Sequence, residues 1–107
     1  MSGPTSDWLQ AAKRGLEPYF SGLDDPETLI VEIGRTVRLY DDEPDRVAWA
    51  GTLMSEAAAG KRPKRPPLSA RLEPDGTYMI LDGKSTHANL ESLGLPAVPL
   101  VVAGQNA

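Results

Sequence analysis

The sequence predicts a small α+β domain with a mixed sheet of about four strands and about three helices. The length of 107 residues, with 40% hydrophobic and 24% charged residues, suits one ordinary globular domain. Hydrophobic periodicity alternates along the chain in the order α, β, α, β-hairpin, α, β. The strands are predicted at 31–39, 68–72, 77–81 and 97–102, and the helices at 6–16, 44–59 and 85–93.

Composition excludes several classes of site. The chain has no cysteine, which excludes disulfide scaffolds, thiolate zinc sites and cysteine nucleophiles. Its single histidine, His87, excludes a multi-histidine metal site, and no metal ligands are assigned. The first seven residues lack the basic start and apolar stretch of a secretory signal, and no apolar run is long enough to span a membrane. We therefore expect a cytoplasmic domain without membrane contact.

The first predicted helix, 6–16, forms an N-terminal extension. Ser6 or Asp7 can cap it, apolar residues recur at near-helical spacing, and Pro18 ends it. We expect residues 1–28 to be a helical extension and residues 29–104 to be the domain proper.

The predicted strand 31–39 rests on an alternation of side chains. Val31, Ile33, Val37 and Leu39 share one parity, and Glu32, Thr36 and Arg38 share the other. The first set is expected on the core face and the second in solvent. Gly34 marks a bulge or a close backbone approach, which turns Arg35 toward the core. In the alternative interpretation, the segment is an edge strand and Arg35 is solvated.

The central helix and the hairpin have the strongest local patterns. Pro44 suits the first position of a helix, apolar residues follow at helical spacing, and Gly60 suits its carboxyl end. Residues 68–72 and 77–81 alternate in polarity around a turn with Asp75-Gly76. These patterns predict a helix over 44–59 followed by a β-hairpin.

The pattern in the last third of the sequence predicts a strand, a tight turn and a helix in succession. Asp82-Gly83 follows the hairpin, residues 85–93 read as a short helix closed by Gly94, and residues 97–102 form the final strand. Unpaired amides at a strand–glycine–helix junction, together with the helix dipole, favour the binding of an anion. Lys84, Ser85 and Thr86 add a cation and two hydroxyls there, although Ser85 and Thr86 suit helix capping equally well.

The order of motifs and predicted elements from residue 61 to residue 102 resembles that of the ParB/sulfiredoxin-like superfamily. The matching pieces are Pro66-Pro67, the hairpin 68–81, Asp82-Gly83, the helix 84–93, Leu93-Gly94 and Val98-Pro99. With the strand at 31–39 and the helix at 44–59, the resemblance covers about two-thirds of the chain. It implies a ParB/sulfiredoxin-like fold for residues 29–104.

The resemblance also implies a function. Members of the superfamily include CTP-using DNA-partitioning proteins, ATP-dependent sulfinic-acid reductases, free-serine kinases and some nucleases. A nucleotide or other phosphorylated ligand is therefore expected at the junction 82–87, with ATP or CTP and Mg²⁺ as the implied cofactor. The implied ligand-binding residues are Asp82, Gly83, Lys84, Ser85, Thr86 and His87. Asp82 is either a turn residue or a carboxylate for Mg²⁺ or a ligand hydroxyl.

The sequence departs from the superfamily after Asp82-Gly83. Many members place a His/Arg pair there, whereas this chain has Lys84-Ser85-Thr86 and then His87. The sulfinic-acid reductase chemistry needs a cysteine, so it is excluded. Catalytic residues are not identified, and whether the domain is an enzyme stays open. His87 is expected as a partly exposed helix residue rather than as a catalytic acid or base.

Two other functions remain open. In the first, the domain has lost its catalytic residues and is a protein-interaction or regulatory module that binds a partner through the proline-rich basic segment 61–67. In the second, it is a nuclease-like, nucleic-acid-associated domain; its net charge of −4 argues for weak binding at best. Five cations and no acid lie between residues 61 and 71. The candidate anion or partner contacts are Arg62, Lys64, Arg65 and Arg35.

Overall fold

The computed structural model describes residues 4–103. This part of the chain forms three α-helices, one 3₁₀ turn and a five-stranded sheet. The helices are α1 (Pro4–Leu16), α2 (Pro44–Ala58) and α3 (Lys84–Ser92). The strands are β1 (Leu29–Glu32), β2 (Thr36–Val37), β3 (Leu68–Leu72), β4 (Tyr78–Asp82) and β5 (Ala97–Val102). The predicted α+β class is confirmed, and so are the three helices, the hairpin and the final strand.

The sheet is mixed and has the order β1-β5-β3-β4-β2. β3 and β4 form the predicted antiparallel hairpin, and β5 lies parallel to β3. β1 pairs antiparallel with β5, while β2 pairs parallel with β4. β1 and β2 are therefore neighbours in sequence but lie at opposite edges of the sheet.

The connection between these edges requires the sheet to curl. Only the 3₁₀ turn Ile33–Arg35 separates β1 from β2. Four strand spacings in a flat sheet would cover about 19 Å, whereas four residue steps reach at most about 14 Å even when extended. The two edge strands can be joined by so short a turn only if the sheet bends back on itself.

The 3₁₀ turn corrects the prediction of one continuous strand over 31–39, which it divides into β1 and β2. Val31 faces the core as predicted, but Val37 and Leu39 are exposed, Leu39 by 64%. Thr36 is buried instead, because the inserted turn reverses the alternation of side chains. Gly34 lies in this turn, and a Cβ placed on it would meet no atom within 4 Å, so it is neither a bulge nor a close approach.

Arg35 is solvated, as the alternative interpretation of the sequence predicts. It is exposed, donates a hydrogen bond of 2.9 Å to the carbonyl of Gly76, and lies 5.6 Å from the centre of the Tyr78 ring. The edge position of β2 leaves room for this contact with the hairpin turn. Arg35 therefore does not point into the core.

One buried core joins the helices to the sheet. It contains Ala12, Leu16, Phe20, Leu23, Val31, Met54, Leu68, Ala70, Ile80, Leu90, Ala97, Val98 and Leu100. α1 packs on β1 and β5, α3 packs on β4 and β5, and α2 packs on α3. No helix within residues 4–103 is both long and apolar enough to cross a bilayer.

The predicted boundaries of the first helix and of the domain differ in part from the observed elements. α1 begins at Pro4, so Ser6 and Asp7 lie inside the helix and do not precede it as caps. The boundary between an extension and a domain at residue 28 stays a prediction, and the core contains residues from both sides of it. Residues 1–3 of the predicted extension and Gly104 at the end of the predicted domain lie outside the described residues.

Gly83 makes the turn from β4 into α3 possible. Its φ is +99°, and a Cβ there would lie 2.7 Å from the Leu68 Cγ. We expect Gly83→Ala to lower the free energy of unfolding by about 1–2 kcal/mol or more, because an L side chain is strained at this φ and also meets Leu68. Urea denaturation measures the change.

Gly34→Ala is the matched control for this prediction. Gly34 does not have a positive φ and a Cβ there meets nothing within 4 Å. Its substitution should change the unfolding free energy by no more than about 0.5 kcal/mol. An equally small effect of Gly83→Ala would contradict the proposed strain.

Candidate phosphate site at the start of the third helix

α3 starts directly after the Gly83 turn, and its first amides precede any intrahelical hydrogen bond. The first helical bond runs from the His87 amide to the Gly83 carbonyl, at 2.8 Å. The amides of Lys84, Ser85 and Thr86 come before it, and an α-helix leaves such amides without an internal partner. Gly83 occupies the N-cap position, and no side chain caps the helix. Helix capping by Ser85 or Thr86, one alternative from the sequence, is therefore wrong.

A small cavity of about 80 Å³ lies against this turn. It is lined by Arg65, Pro66, Pro67, Leu68, Asp82, Gly83 and Thr86. Arg65 brings a positive charge to the cavity, and Asp82 brings a carboxylate. The two prolines restrict the backbone on one side, so that wall is held by a stiff segment. A cation beside a helix N-terminus is an arrangement that binds anions.

The three residues after Gly83 point in different directions. Lys84 places its ammonium 5.6 Å from the centre of the Tyr40 ring. The Ser85 hydroxyl donates a hydrogen bond to Asp42, just before α2. Thr86 is buried and lines the small cavity. The segment 40–42 therefore lies along the first turn of α3 and is tied to it at Lys84 and Ser85.

The candidate contacts of the 61–67 segment are spread over several environments. Arg62 forms an ion pair with Glu56 of α2, at 2.5 Å. The backbone of Arg65 pairs with Tyr19 and Ser21, with N···O distances of 2.9 Å. Lys64 is exposed. Arg65 is therefore the member of this group that the structure brings to the helix start.

Arg35 lies at the opposite end of β4 from the cavity. Its partners, Gly76 and Tyr78, are at the start of β4, while Asp82 is at the end of the same strand. The structure therefore does not bring Arg35 together with Asp82–Thr86.

His87 is fully buried, with 1% of its surface exposed, which corrects the expectation of a partly exposed residue. Its Nε2 lies 2.6 Å from Thr36 Oγ1, and its Nδ1 lies 2.7 Å from Arg38 Nη1. Burial of His87 is possible because the 3₁₀ turn aims these two side chains inward. Their prediction on the solvent face is therefore wrong.

The hydrogen bonds determine the protonation of His87. The Thr36 hydroxyl donates its proton to the Ile33 carbonyl at 2.6 Å, so it accepts a hydrogen bond from His87 Nε2–H. A guanidinium has no acceptor, so Arg38 donates to an unprotonated Nδ1. His87 is therefore neutral, with its proton on Nε2.

The electrostatic environment agrees with this assignment. Burial lowers the pKa of His87 below its ordinary range; the negative charge of Glu91 opposes the shift, and the positive charge of Arg38 adds to it. Burial alone would also lower the pKa of Arg38, but hydrogen bonds to Glu91 and Asp41 raise it above its ordinary value. Arg38 therefore stays charged while His87 stays neutral.

Arg38 connects the segment after β2 to α3. Its Nη2 lies 2.7 Å from Asp41 Oδ1, and its Nη1 donates both to Glu91 and to His87. Sequence reasoning misses Arg38 and Thr36 as partners of His87. Their spacing of two residues is the available signal, since it places both side chains on one face, but the alternation pattern assigns that face to solvent.

Comparisons with known proteins identify the fold. No protein-family model matches the chain, and no curated protein matches it. Among solved structures, C-terminally truncated SbnI from Staphylococcus aureus is similar at 20% identity with a TM-score of 0.63, over 80% of this chain and 34% of that one. Sulfiredoxin from Arabidopsis thaliana is similar at 20% identity with a TM-score of 0.51, over 72% of this chain and 84% of that one.

A third solved structure is the C-terminally truncated chromosome-partitioning protein ParB from Caulobacter crescentus, complexed with CTP-γ-S. It is similar at 20% identity with a TM-score of 0.49, over 70% of this chain and 43% of that one. The chain thus spans 34% of the SbnI chain and 43% of the ParB chain. The likeness to SbnI and sulfiredoxin shows that the domain has the ParB/sulfiredoxin-like fold.

The buried hydrogen bond between Thr36 and His87 can be tested by Thr36→Val. The substitution keeps the shape but leaves His87 Nε2–H without its acceptor, so we expect the unfolding free energy to fall by about 1–3 kcal/mol. Thr52→Val is the control, because Thr52 is exposed on α2 and its hydroxyl bonds only the Ala48 carbonyl. Equal effects of the two substitutions in urea denaturation would contradict the role of Thr36.

The lowered pKa of His87 predicts how stability depends on pH. Because the unfolded chain binds a proton near pH 6.5 and the folded one only at lower pH, stability should fall as the pH drops below about 6.5. The slope is at most about 1.4 kcal/mol per pH unit. Unfolding free energies between about pH 5 and about pH 8 measure it, with His87→Gln as the control that removes this dependence. A wild-type stability that is constant or rises as the pH falls would refute the assignment.

Proposed function

We propose that this domain binds a nucleotide or another phosphorylated ligand at the junction 82–87. The main observation behind this proposal is the start of α3, which has no side-chain cap and lies beside a cavity lined by Arg65. A phosphate in this cavity would accept hydrogen bonds from the amides of Lys84–Thr86 and interact with the guanidinium of Arg65. The Thr86 side chain lines the same cavity and offers a hydroxyl.

The charges around the cavity support an anionic ligand despite the net charge of −4. Among the described residues, neither Arg65 nor Lys84 forms an ion pair with a carboxylate. Lys84 lies against Tyr40, from which its flexible side chain can turn to a phosphate as a point charge. The positive charges of Arg65 and Lys84 thus remain available to a ligand.

His87 has a positioning role in this proposal. Both of its ring nitrogens are used by Thr36 and Arg38, so the ring does not contact the ligand. It holds the first turn of α3 against the segment after β2. The orientation of the amides near Gly83 then depends on this buried contact.

Asp82 is the residue that would share Mg²⁺ with the phosphates. Among the described residues, no group of three or more His, Cys, Asp or Glu side chains could hold a metal by itself. Nucleotide-bound Mg²⁺ commonly has one or two protein carboxylates and completes its shell with phosphate oxygens and water. Asp82 lines the cavity and fits this limited role. The ion would supply charge neutralisation between the phosphates.

The class of ligand rests on the superfamily resemblance of residues 61–102 and on the shared fold, which make ATP and CTP the first ligands to test. Arg62 is paired with Glu56, which leaves Lys61 and Lys64 as the exposed cations of the 61–64 stretch that a protein partner could contact. The interaction-module and nuclease-like functions have no comparable site observation in their favour.

The proposal predicts amide shifts at the start of α3. Titration with ATP, CTP, GTP and inorganic tripolyphosphate, each with Mg²⁺, should move the NMR signals of Gly83–Thr86 before those of the rest of the chain. Arg65→Ala should weaken binding at least about tenfold, because a charge-assisted contact contributes about 1.5–3 kcal/mol.

Arg14→Ala is the charge-matched control for this experiment. Arg14 is exposed on α1 and does not line the cavity at the Gly83 turn. Its removal changes the net charge equally and should leave affinity within about twofold, since screened surface charges interact weakly. If no ligand shifts Gly83–Thr86, or if both arginine variants weaken binding equally, the proposed site is refuted.

A further inference from the structure

The 38–43 segment, which joins β2 to α2, is attached at both ends. Arg38 fixes the first end, because its guanidinium donates hydrogen bonds to His87 and Glu91 on α3. The other end is fixed by α2, which begins at Pro44. The middle of the 38–43 segment can therefore move relative to α3 while both ends stay in place.

The middle of this segment engages two of the three residues that form the first turn of α3. The Ser85 hydroxyl donates a hydrogen bond to Asp42 Oδ2, and the Lys84 ammonium lies 5.6 Å from the centre of the Tyr40 ring. A phosphate at the junction would use the same hydroxyl and the same cation. Both groups contact the 38–43 segment of the chain instead.

Thr86, the third residue of this turn, is left open to a ligand. Its side chain lines the small cavity, and only 3% of the residue is exposed. Among the described residues, no side-chain hydrogen bond involves the Thr86 hydroxyl, and no fully buried polar side-chain atom lacks a partner. The hydroxyl therefore opens onto the cavity, where a bound anion would accept its proton.

The carboxylate of Asp42 places a negative charge beside the proposed phosphate site. A carboxylate near a helix N-terminus is stabilised by the same amides and dipole that favour a phosphate. Asp42 also lines a surface groove of about 310 Å³ together with Ser85 and Arg65. Among the described residues, Asp42 forms no ion pair with a lysine or an arginine. Its charge therefore acts on the groups that are proposed to hold the phosphate.

Moving the middle of the 38–43 segment away from α3 exposes little apolar surface. Tyr40 is already 67% exposed, and Asp41 is exposed as well. The contacts that would be lost are the hydrogen bond between Asp42 and Ser85 and the contact between Lys84 and the Tyr40 ring. A phosphate can replace both, because it accepts hydrogen bonds from the hydroxyl and attracts the ammonium.

We propose that Asp42 is an autoinhibitory residue, which occupies Ser85 and repels an anion from the start of α3 until a ligand displaces it. The inference rests on the proposed function and adds a regulatory contact to that site. In the ligand-free domain, the carboxylate of Asp42 competes with the phosphate. When a phosphate binds, residues 40–42 move away from the first turn of α3.

The test measures the affinity of three proteins for inorganic tripolyphosphate by calorimetry, without Mg²⁺. They are the wild type, Asp42→Asn and the control Asp45→Asn. The first substitution keeps the size of the side chain and an oxygen that accepts from Ser85, but it removes the charge. Asp45 is exposed in the first turn of α2 and lines neither the cavity nor the groove, so the control removes the same charge nearby. Both positions lie outside the buried core, so folding is expected to be retained.

The expected result is a gain in affinity that is specific to Asp42. Asp42→Asn should bind tripolyphosphate about 3- to 30-fold more tightly than the wild type, because one like charge is removed close to the ligand. Asp45→Asn should stay within about twofold of the wild type, since an exposed charge is screened.

NMR gives a second readout of the displacement. In the wild type, tripolyphosphate should shift the amide signals of Tyr40–Asp42 together with those of Gly83–Thr86. The amides of Glu73–Thr77, which lie at the hairpin turn, should not shift and are the internal control. Shifts at Gly83–Thr86 that leave Tyr40–Asp42 unchanged would contradict the displacement.

Failure of this inference and failure of the phosphate site give different results. If tripolyphosphate shifts Gly83–Thr86 but Asp42→Asn binds it no more tightly than the wild type does, the competition by Asp42 is refuted and the phosphate site stands. If tripolyphosphate shifts these amides in neither protein, both the phosphate site and the competition are refuted.

Discussion

The short turn Ile33–Arg35 is the constraint on which the rest of the structure depends. It joins β1 and β2, which lie at opposite edges of a five-stranded sheet, so it forces the sheet to curl around the core. It also reverses the alternation of side chains, which turns Thr36 inward. The Thr36 hydroxyl on β2 and the Arg38 guanidinium just after β2 thereby reach His87 of α3.

This inward turn explains how the polar ring of His87 is accommodated in an apolar interior. A buried imidazole without partners would lose its hydrogen bonds to water and gain none in return, but Thr36 and Arg38 satisfy one nitrogen each. Arg38 is in turn neutralised by Asp41 and Glu91. This chain of contacts ties the segment after β2 to the side of α3, and a further hydrogen bond attaches the same segment to the first turn of the helix.

Elements with strong local signals could be predicted from the sequence, and features set by distant contacts could not. The turn at Asp75-Gly76 and the junction 82–86 follow from neighbouring residues, because turns and helix starts are determined locally. The division of 31–39 into two strands depends on pairing with β5 and β4, which no local pattern shows. Arg65 is one of four candidate cations, and only the pairing of its backbone with the segment after α1 selects it.

Charge distribution explains how an acidic domain can present a site for an anion. Three of its carboxylates are engaged in ion pairs with Arg62 and Arg38, so each of these contacts neutralises charge locally. Arg65, by contrast, lines the cavity at the Gly83 turn, and Lys84 is the first residue of α3. At physiological salt, charges more than about 8 Å apart are largely screened, so a ligand responds to these cations and not to the net charge. Arg65 lines the cavity beside the Gly83 turn, so its charge acts on an anion at the start of α3, whereas distant carboxylates are screened from it.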